Sequence, residues 1–180
     1  MTAMTRHDPQ RRTLMRAPFD ATYTVLNHTA DIGFILQGDS PEAVFARAVE
    51  AVFATMGAPT HPSAGGPFSL TVRGESLAQA LFNLVSELIF HFEVSGHYWR
   101  DVTEVVVTRA ALETARGHDG DGDGDGDGGG EWAVALTGRG CHVDRAQPQG
   151  LIEVKAPTYH GLAWKAQRPG LVAARIILDL

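Results

Sequence analysis

Residues 40–57 read SPEAVFARAVEAVFATMG, the pattern of one amphipathic helix with both ends marked. Ser40 suits the N-cap, Pro41 the first helical position, and Glu42 the positive end of the helix dipole. Phe45, Val49, Val52, Phe53 and Met56 recur at helical spacing, and Gly57 followed by Pro59 stops the run. The stripe predicts a core-facing helix.

Reading outward, Phe68–Arg73 alternates apolar and polar residues as a strand does. A second helix opens at Ser76, where Gln79 three residues on completes a capping box. Its stripe runs Leu77, Leu81, Leu84, Val85, Leu88, Ile89 and Phe92, and such periodicity means core far more often than cofactor pocket. Before the first helix, Thr22–Asn27 and Ile32–Gly38 read as short strands around the polar link Asn27-His28-Thr29-Ala30-Asp31. From Asp101 onward the period changes to two: Val102, Val105 and Val107, then Trp132, Val134 and Leu136, then Ile152–Val154 and Val172–Leu178. Two helices embedded among more numerous strands predict an α+β fold, a compact single domain over residues 21–180 with a mainly antiparallel sheet and two principal helices.

Composition narrows the function classes. The chain has 180 residues, 44% apolar and 20% charged, enough for one domain with a real core. A net charge of −6 argues against broad, sequence-independent nucleic-acid binding, which needs clustered Lys and Arg. The single cysteine, Cys141, allows neither an intramolecular disulfide nor a cysteine-based zinc site. No uninterrupted apolar run spans a bilayer and no apolar signal segment opens the chain, so the expectation is a cytoplasmic protein without a membrane partner. Residues 1–20 are polar and aperiodic, and read as a disordered extension or, with Arg11, Arg12 and Arg16, as a short basic arm that touches RNA.

The segment 117–130 alternates glycine with Asp119, Asp121, Asp123, Asp125 and Asp127. An EF-hand loop starting at Asp121 requires a bidentate glutamate at its twelfth position, which is Trp132. The segment therefore reads as a flexible, self-repelling loop between two strands, with weak cation binding as the alternative.

No Walker loop, nucleophile elbow or H-E-x-x-H motif occurs, and the histidines lie scattered rather than at metal-ligand spacing. Three local features remain. In His28-Thr29-Ala30-Asp31 a histidine and an aspartate flank two small residues; spacing allows a cation site there and favours a turn held by side-chain to backbone hydrogen bonds. In Glu153-Val154-Lys155-Ala156-Pro157-Thr158-Tyr159-His160, a strand would put Glu153 and Lys155 on one face as an ion pair. The alternative puts Lys155 and His160 near an anion such as phosphate. The ending Ile176-Ile177-Leu178-Asp179-Leu180 brings Asp179 close to the carboxylate of Leu180 on an apolar strand, two negative charges that call for a cation or a basic group between them.

Taken in order, H-T-A-D-I-G (28–33), S-P-E-A-V-F (40–45), E-V-K-A-P-T-Y-H-G-L (153–162) and the ending I-I-L-D-L resemble the archease family from Tyr23 to Leu180. The resemblance implies a strand-helix-strand-strand unit inserted into a second such unit. It implies a divalent-metal site, with calcium the expected ion, at Asp31, Asp179 and the carboxylate of Leu180. Lys155 then matches a position tied to activity, alongside His160, and His28 orients the site without ligating the ion. It further implies an accessory protein rather than an enzyme: an activator of the RNA-splicing ligase in tRNA splicing and RNA repair, promoting guanylylation of the ligase and repeated turnover, with RNA and GTP engaged through the ligase. The alternatives are a chaperone-like binding module for RNA-processing proteins and a metal-dependent phosphohydrolase. The chain departs from the family pattern at Pro157, which favours a sheet edge or bulge, at Cys141 and Gln147–Gln149, and in the Gly/Asp insertion.

Overall fold

The computed structural model describes residues 23–27, 31–63, 65–110, 130–144, 146 and 150–180, together with 12–15; for 12–15 and 23–27 it describes the backbone. In chain order the elements are β1 (Arg12–Met15), β2 (Tyr23–Asn27), β3 (Asp31–Gly38), α1 (Pro41–Met56), β4 (Gly66–Gly74), α2 (Leu77–Ser95), β5 (His97–Arg109), β6 (Trp132–His142), β7 (Ala156–Arg168) and β8 (Leu171–Asp179).

Both helices start where their caps predict. Ser40 Oγ accepts from the Ala43 N–H at 3.3 Å, and Ser76 Oγ from the Gln79 N–H at 3.1 Å. The Gln79 side chain returns to the Glu75 N–H at 2.9 Å, one residue earlier than the simplest capping box. Gly96 ends α2 in the left-handed conformation, φ 66°, and a Cβ there would sit 2.1 Å from the Val143 carbonyl oxygen, so only glycine fits. Every stripe residue of α1 is buried. On α2 all but the half-buried Leu77 are.

The strands divide into two antiparallel sheets, ordered β1-β5-β6-β4 and β2-β3-β8-β7. The α+β class stands; the antiparallel strands are shared between two sheets. Between α1 and β7 the chain inserts the unit β4-α2-β5-β6, while β3, α1, β7 and β8 form the outer unit. This is the nested arrangement that the resemblance implies. α1 packs on β3, β5 and β8, and α2 on β4, β5, β6 and β7. One hydrophobic core therefore draws side chains from both sheets and both helices. By length and composition α2 could cross a bilayer, contrary to the reading of the bare sequence, but here its apolar stripe is part of that core.

Two further expectations need correction. Within the extension expected to be disordered, Arg12–Met15 is a strand paired with β5, from Arg12↔Val107 to Met15↔Glu104. Backbone hydrogen bonding to an edge needs no side-chain periodicity, which is why composition does not reveal it. Ile152–Val154 is not a strand. The Ile152 N–H donates to Met56 O at 2.8 Å at the end of α1, and Val154 is buried. The period-two alternation there reflects packing of an irregular segment on the core. The ladder starts instead at Ala156, and β7 is an edge strand, the position that Pro157 tolerates.

β5 and β6 form a hairpin whose last pair is Arg109↔Trp132, extended by Ala110 N–H to Glu131 O at 2.8 Å. The Gly/Asp segment joins these two ends, and its residues through 129 lie outside the described residues, as do Gln147–Gln149 and, apart from β1, the N-terminal extension.

Candidate functional site

Along the inner ladder of the second sheet the register is unbroken from Gly38↔Val172 to Asp31↔Asp179. Asp31 and Asp179 are thus direct cross-strand partners, with Cα atoms about 4.5–5.5 Å apart as in any antiparallel pair and side chains on one face. On the other side of β8, Ala156 faces Asp179, and the Lys155 N–H donates to Asp179 O at 2.9 Å. The Lys155 ammonium donates to Leu180 O at 2.5 Å. Asp179 and Lys155 are exposed, Asp31 and Leu180 half-buried. Pieces of sequence from the start, the middle and the end of the domain meet at one end of one sheet.

Two carboxylates directly opposite each other repel, and Lys155 contributes one positive charge beside them. The donors are all oxygen: two aspartate side chains and the Leu180 oxygen. Such a set suits a hard divalent cation such as calcium or magnesium and offers nothing to a soft metal. Among the described residues no three His, Cys, Asp or Glu side chains are grouped to hold a metal, so a cation here depends on the aspartate pair with main-chain oxygen and water.

The K-A-P-T-Y-H-G-L motif forms a bulge in β7. Pairing jumps from Thr158↔Ile177 to Ala163↔Arg175, five steps on β7 against two on β8. The extra residues change which way their side chains point. Tyr159, 62% exposed, stacks on Phe82 of α2 with ring centroids 3.9 Å apart. His160 is exposed, with its N–H on Thr158 Oγ1 at 3.1 Å. Gly161 has φ 68°, and its carbonyl accepts from Arg175 Nε at 2.6 Å. The Glu153–Lys155 pairing expected of a strand is not formed, because both residues precede β7 and Lys155 turns to Leu180. His28 lies outside the described residues.

A second cluster escapes any reading of spacing. His91 from α2, His97 from β5 and His142 from β6 gather around Phe68 of β4. Ring centroids lie 5.7 Å apart for His91–His97, 4.6 Å for His97–His142 and 4.6 Å for Phe68–His97. A cavity of about 230 Å³ opens beside them, lined among others by Leu70 and Trp99. Burial lowers the pKa of His97, and the neighbouring His142 and His91 lower it further. Their separation along the chain carries no pattern; the β5–β6 register, which pairs His97 with His142, and the packing of α2 on β5, which brings in His91, gather them.

Residues 23–180 match the sequence model of the archease protein family (MTH1598/TM1083). The chain belongs to the archease family. The fold agrees with two solved structures. One is the solution structure of Methanobacterium thermoautotrophicum protein 1598, at 23% identity and TM-score 0.58, covering 88% of this chain and 98% of that one. The other is a crystal structure from Thermotoga maritima, described as an archease and possible chaperone, at 18% identity and TM-score 0.52, covering 93% and 98%. No curated protein sequence matches the chain. As an archease domain, the matched stretch takes in the aspartate pair, the Lys155 segment and the β7 bulge, and starts beyond β1.

Proposed function

We propose that this archease is an accessory protein of an RNA-splicing ligase, acting in the cytoplasm to promote guanylylation of the ligase and its multiple turnover in tRNA splicing and RNA repair. RNA and GTP are engaged through the ligase. The observation that carries this reading is the register pairing of Asp31 with Asp179 beside Lys155, which gathers three separated motifs into one charged, oxygen-lined end.

Asp31, Asp179 and the Leu180 oxygen hold a divalent cation, calcium being the ion of choice, and the ladder fixes their spacing. When bound, such a cation supplies positive charge that neutralises phosphate oxygens during nucleotidyl transfer. Lys155 offsets carboxylate charge beside it and anchors the end of β8. His160 and the bulge face outward, where a partner can reach them.

The test is guanylylation of the cognate ligase with GTP and a divalent metal, with and without this protein, wild type beside Asp31→Asn. Wild type stimulates strongly, and the variant, with its fold intact by circular dichroism, loses about tenfold or more of that stimulation. Equal stimulation by the variant removes the cation from the mechanism.

A second reading, a chaperone-like binding module, draws support from exposed apolar side chains on α2, Phe90 at 55% and Val94 at 66%. Folded wild type that leaves the ligase unaffected yet suppresses aggregation of RNA-processing proteins would put this reading first.

A further inference from the structure

Arg175 stands four residues before Asp179 on β8. The β3–β8 ladder has no irregularity between them, so both side chains project from the same face, about 13 Å apart along the strand. Arg175 is exposed, and its cross-strand neighbours are Ile35 and Ala163, neither of which offers a counter-charge. Its one hydrogen bond among the described residues runs from Nε to Gly161 O at 2.6 Å. The terminal nitrogens of the guanidinium are left to bind something else.

The bulge explains how that side chain is aimed. It lies between the β7 residues opposite Ile177 and Arg175, so the bond to Gly161 draws the guanidinium toward the carboxylate end. A Cβ at Gly161 would crowd Arg175 at 3.2 Å from Nε and Nη2, and φ 68° already disfavours any other residue. A pinned, planar fork with no carboxylate partner among the described residues is suited to a phosphate group, and holding it in place beforehand lowers the entropy lost on binding. Lys165, exposed and facing Ala173 two ladder positions further along, adds positive charge on the same face.

We propose that Arg175 binds a phosphate group of the ligand served at the aspartate end, and that the β7 bulge serves to aim it. The inference rests on the proposed function and deepens it: the face then presents a cation-binding end and an arginine fork to neighbouring phosphates of one anionic ligand. That phosphate belongs either to the nucleoside triphosphate or to an RNA terminus.

Two measurements test it on the full chain. In the first, tripolyphosphate is titrated into the isolated protein in calcium buffer, comparing wild type, Arg175→Ala and Arg175→Lys, with thermal melts to confirm folding. Arg175→Ala weakens binding about tenfold, as the loss of charged hydrogen bonds predicts, and Arg175→Lys retains part of it. In the second, ligase stimulation is followed separately for guanylylation without RNA and for sealing by pre-guanylylated ligase. A raised GTP requirement in Arg175→Ala assigns the triphosphate, and a defect confined to sealing assigns the RNA phosphate. If Arg175→Ala matches wild type in both ligase steps, the proposal is overturned. If wild type fails to stimulate the ligase at all, the proposed function falls, and the titration alone decides the phosphate site: equal binding by wild type and Arg175→Ala, or none by either, ends it.

Discussion

Replacing Asp31 with asparagine should reverse the order of stability between two buffers. The variant keeps the side chain's shape, exchanges one acceptor oxygen for an amide donor, and removes one of two negative charges held opposite each other by the β3–β8 register. At about 5 Å in a medium close to water, Coulomb's law gives roughly 0.8 kcal/mol of repulsion, in line with the ~0.2–1 kcal/mol typical of cross-strand pairs. Salt and the Lys155 ammonium beside Leu180 reduce it. In chelator, Asp31→Asn is therefore expected to be more stable than wild type by roughly 0.5 kcal/mol, about 1–2 °C in melting temperature for a domain of this size. Calcium at about 100 times its dissociation constant adds ~2.7 kcal/mol to wild type and little to the variant, so wild type becomes the more stable by about 2 kcal/mol. Urea unfolding with matched calcium and chelator buffers reads both numbers. Equal calcium shifts in the two proteins, or a variant less stable in chelator, would refute the argument that these two carboxylates repel each other and share an ion.

Two other outcomes can be checked directly. Leu84 of α2, fully buried in the core, should cost about 2–5 kcal/mol when replaced by alanine, through lost transfer energy and a residual cavity; urea unfolding would show a lower midpoint at unchanged slope. For His97, burial and the neighbouring His142 and His91 lower the folded-state pKa below its ordinary 6.5, so the unfolded chain takes up the proton first as pH falls. The stability this histidine contributes is complete above about pH 6.5 and is lost as pH drops through the folded value. Thermal melts between pH 8 and 5 should show this decline, and His97→Phe, which keeps the stack with Phe68, should flatten it.

How much of this was legible in the sequence varied with the physics involved. Both helix starts, and the end of α1, could be read to within a residue because caps and stripes are local signals: Ser40 and Ser76 bond within their own first turns, and the stripes meet the core at helical spacing. The β5–β6 hairpin was legible for the same reason, although bulges between Trp99 and Asp101 and between Val102 and Glu104 explain why its valines do not keep a strict alternation. β7 was not legible. Its bulge interrupts the period, and its polar and glycine residues resemble a loop until β8 is seen to pair with it. The pairing of Asp31 with Asp179 lay beyond spacing altogether. Each motif alone was compatible with a turn or a frayed end, and the family resemblance joined them before the register did. The histidine cluster had no such aid, and became visible only when the fold brought α2, β5 and β6 together.

The nesting of one unit within the other sets an order of events during synthesis. β3 leaves the ribosome early, but its partner β8 arrives only after β4, α2, β5 and β6 have been made, and these can pair among themselves first. Contacts between such distant segments form late because closing long loops is entropically costly. Until β8 inserts between β3 and β7, the second sheet is missing an inner strand, and Asp31 has no aspartate across from it. The aspartate pair thus serves as a certificate of completion: a truncated or misassembled chain presents half of it, and the proposed cation site is whole only in a fully threaded one.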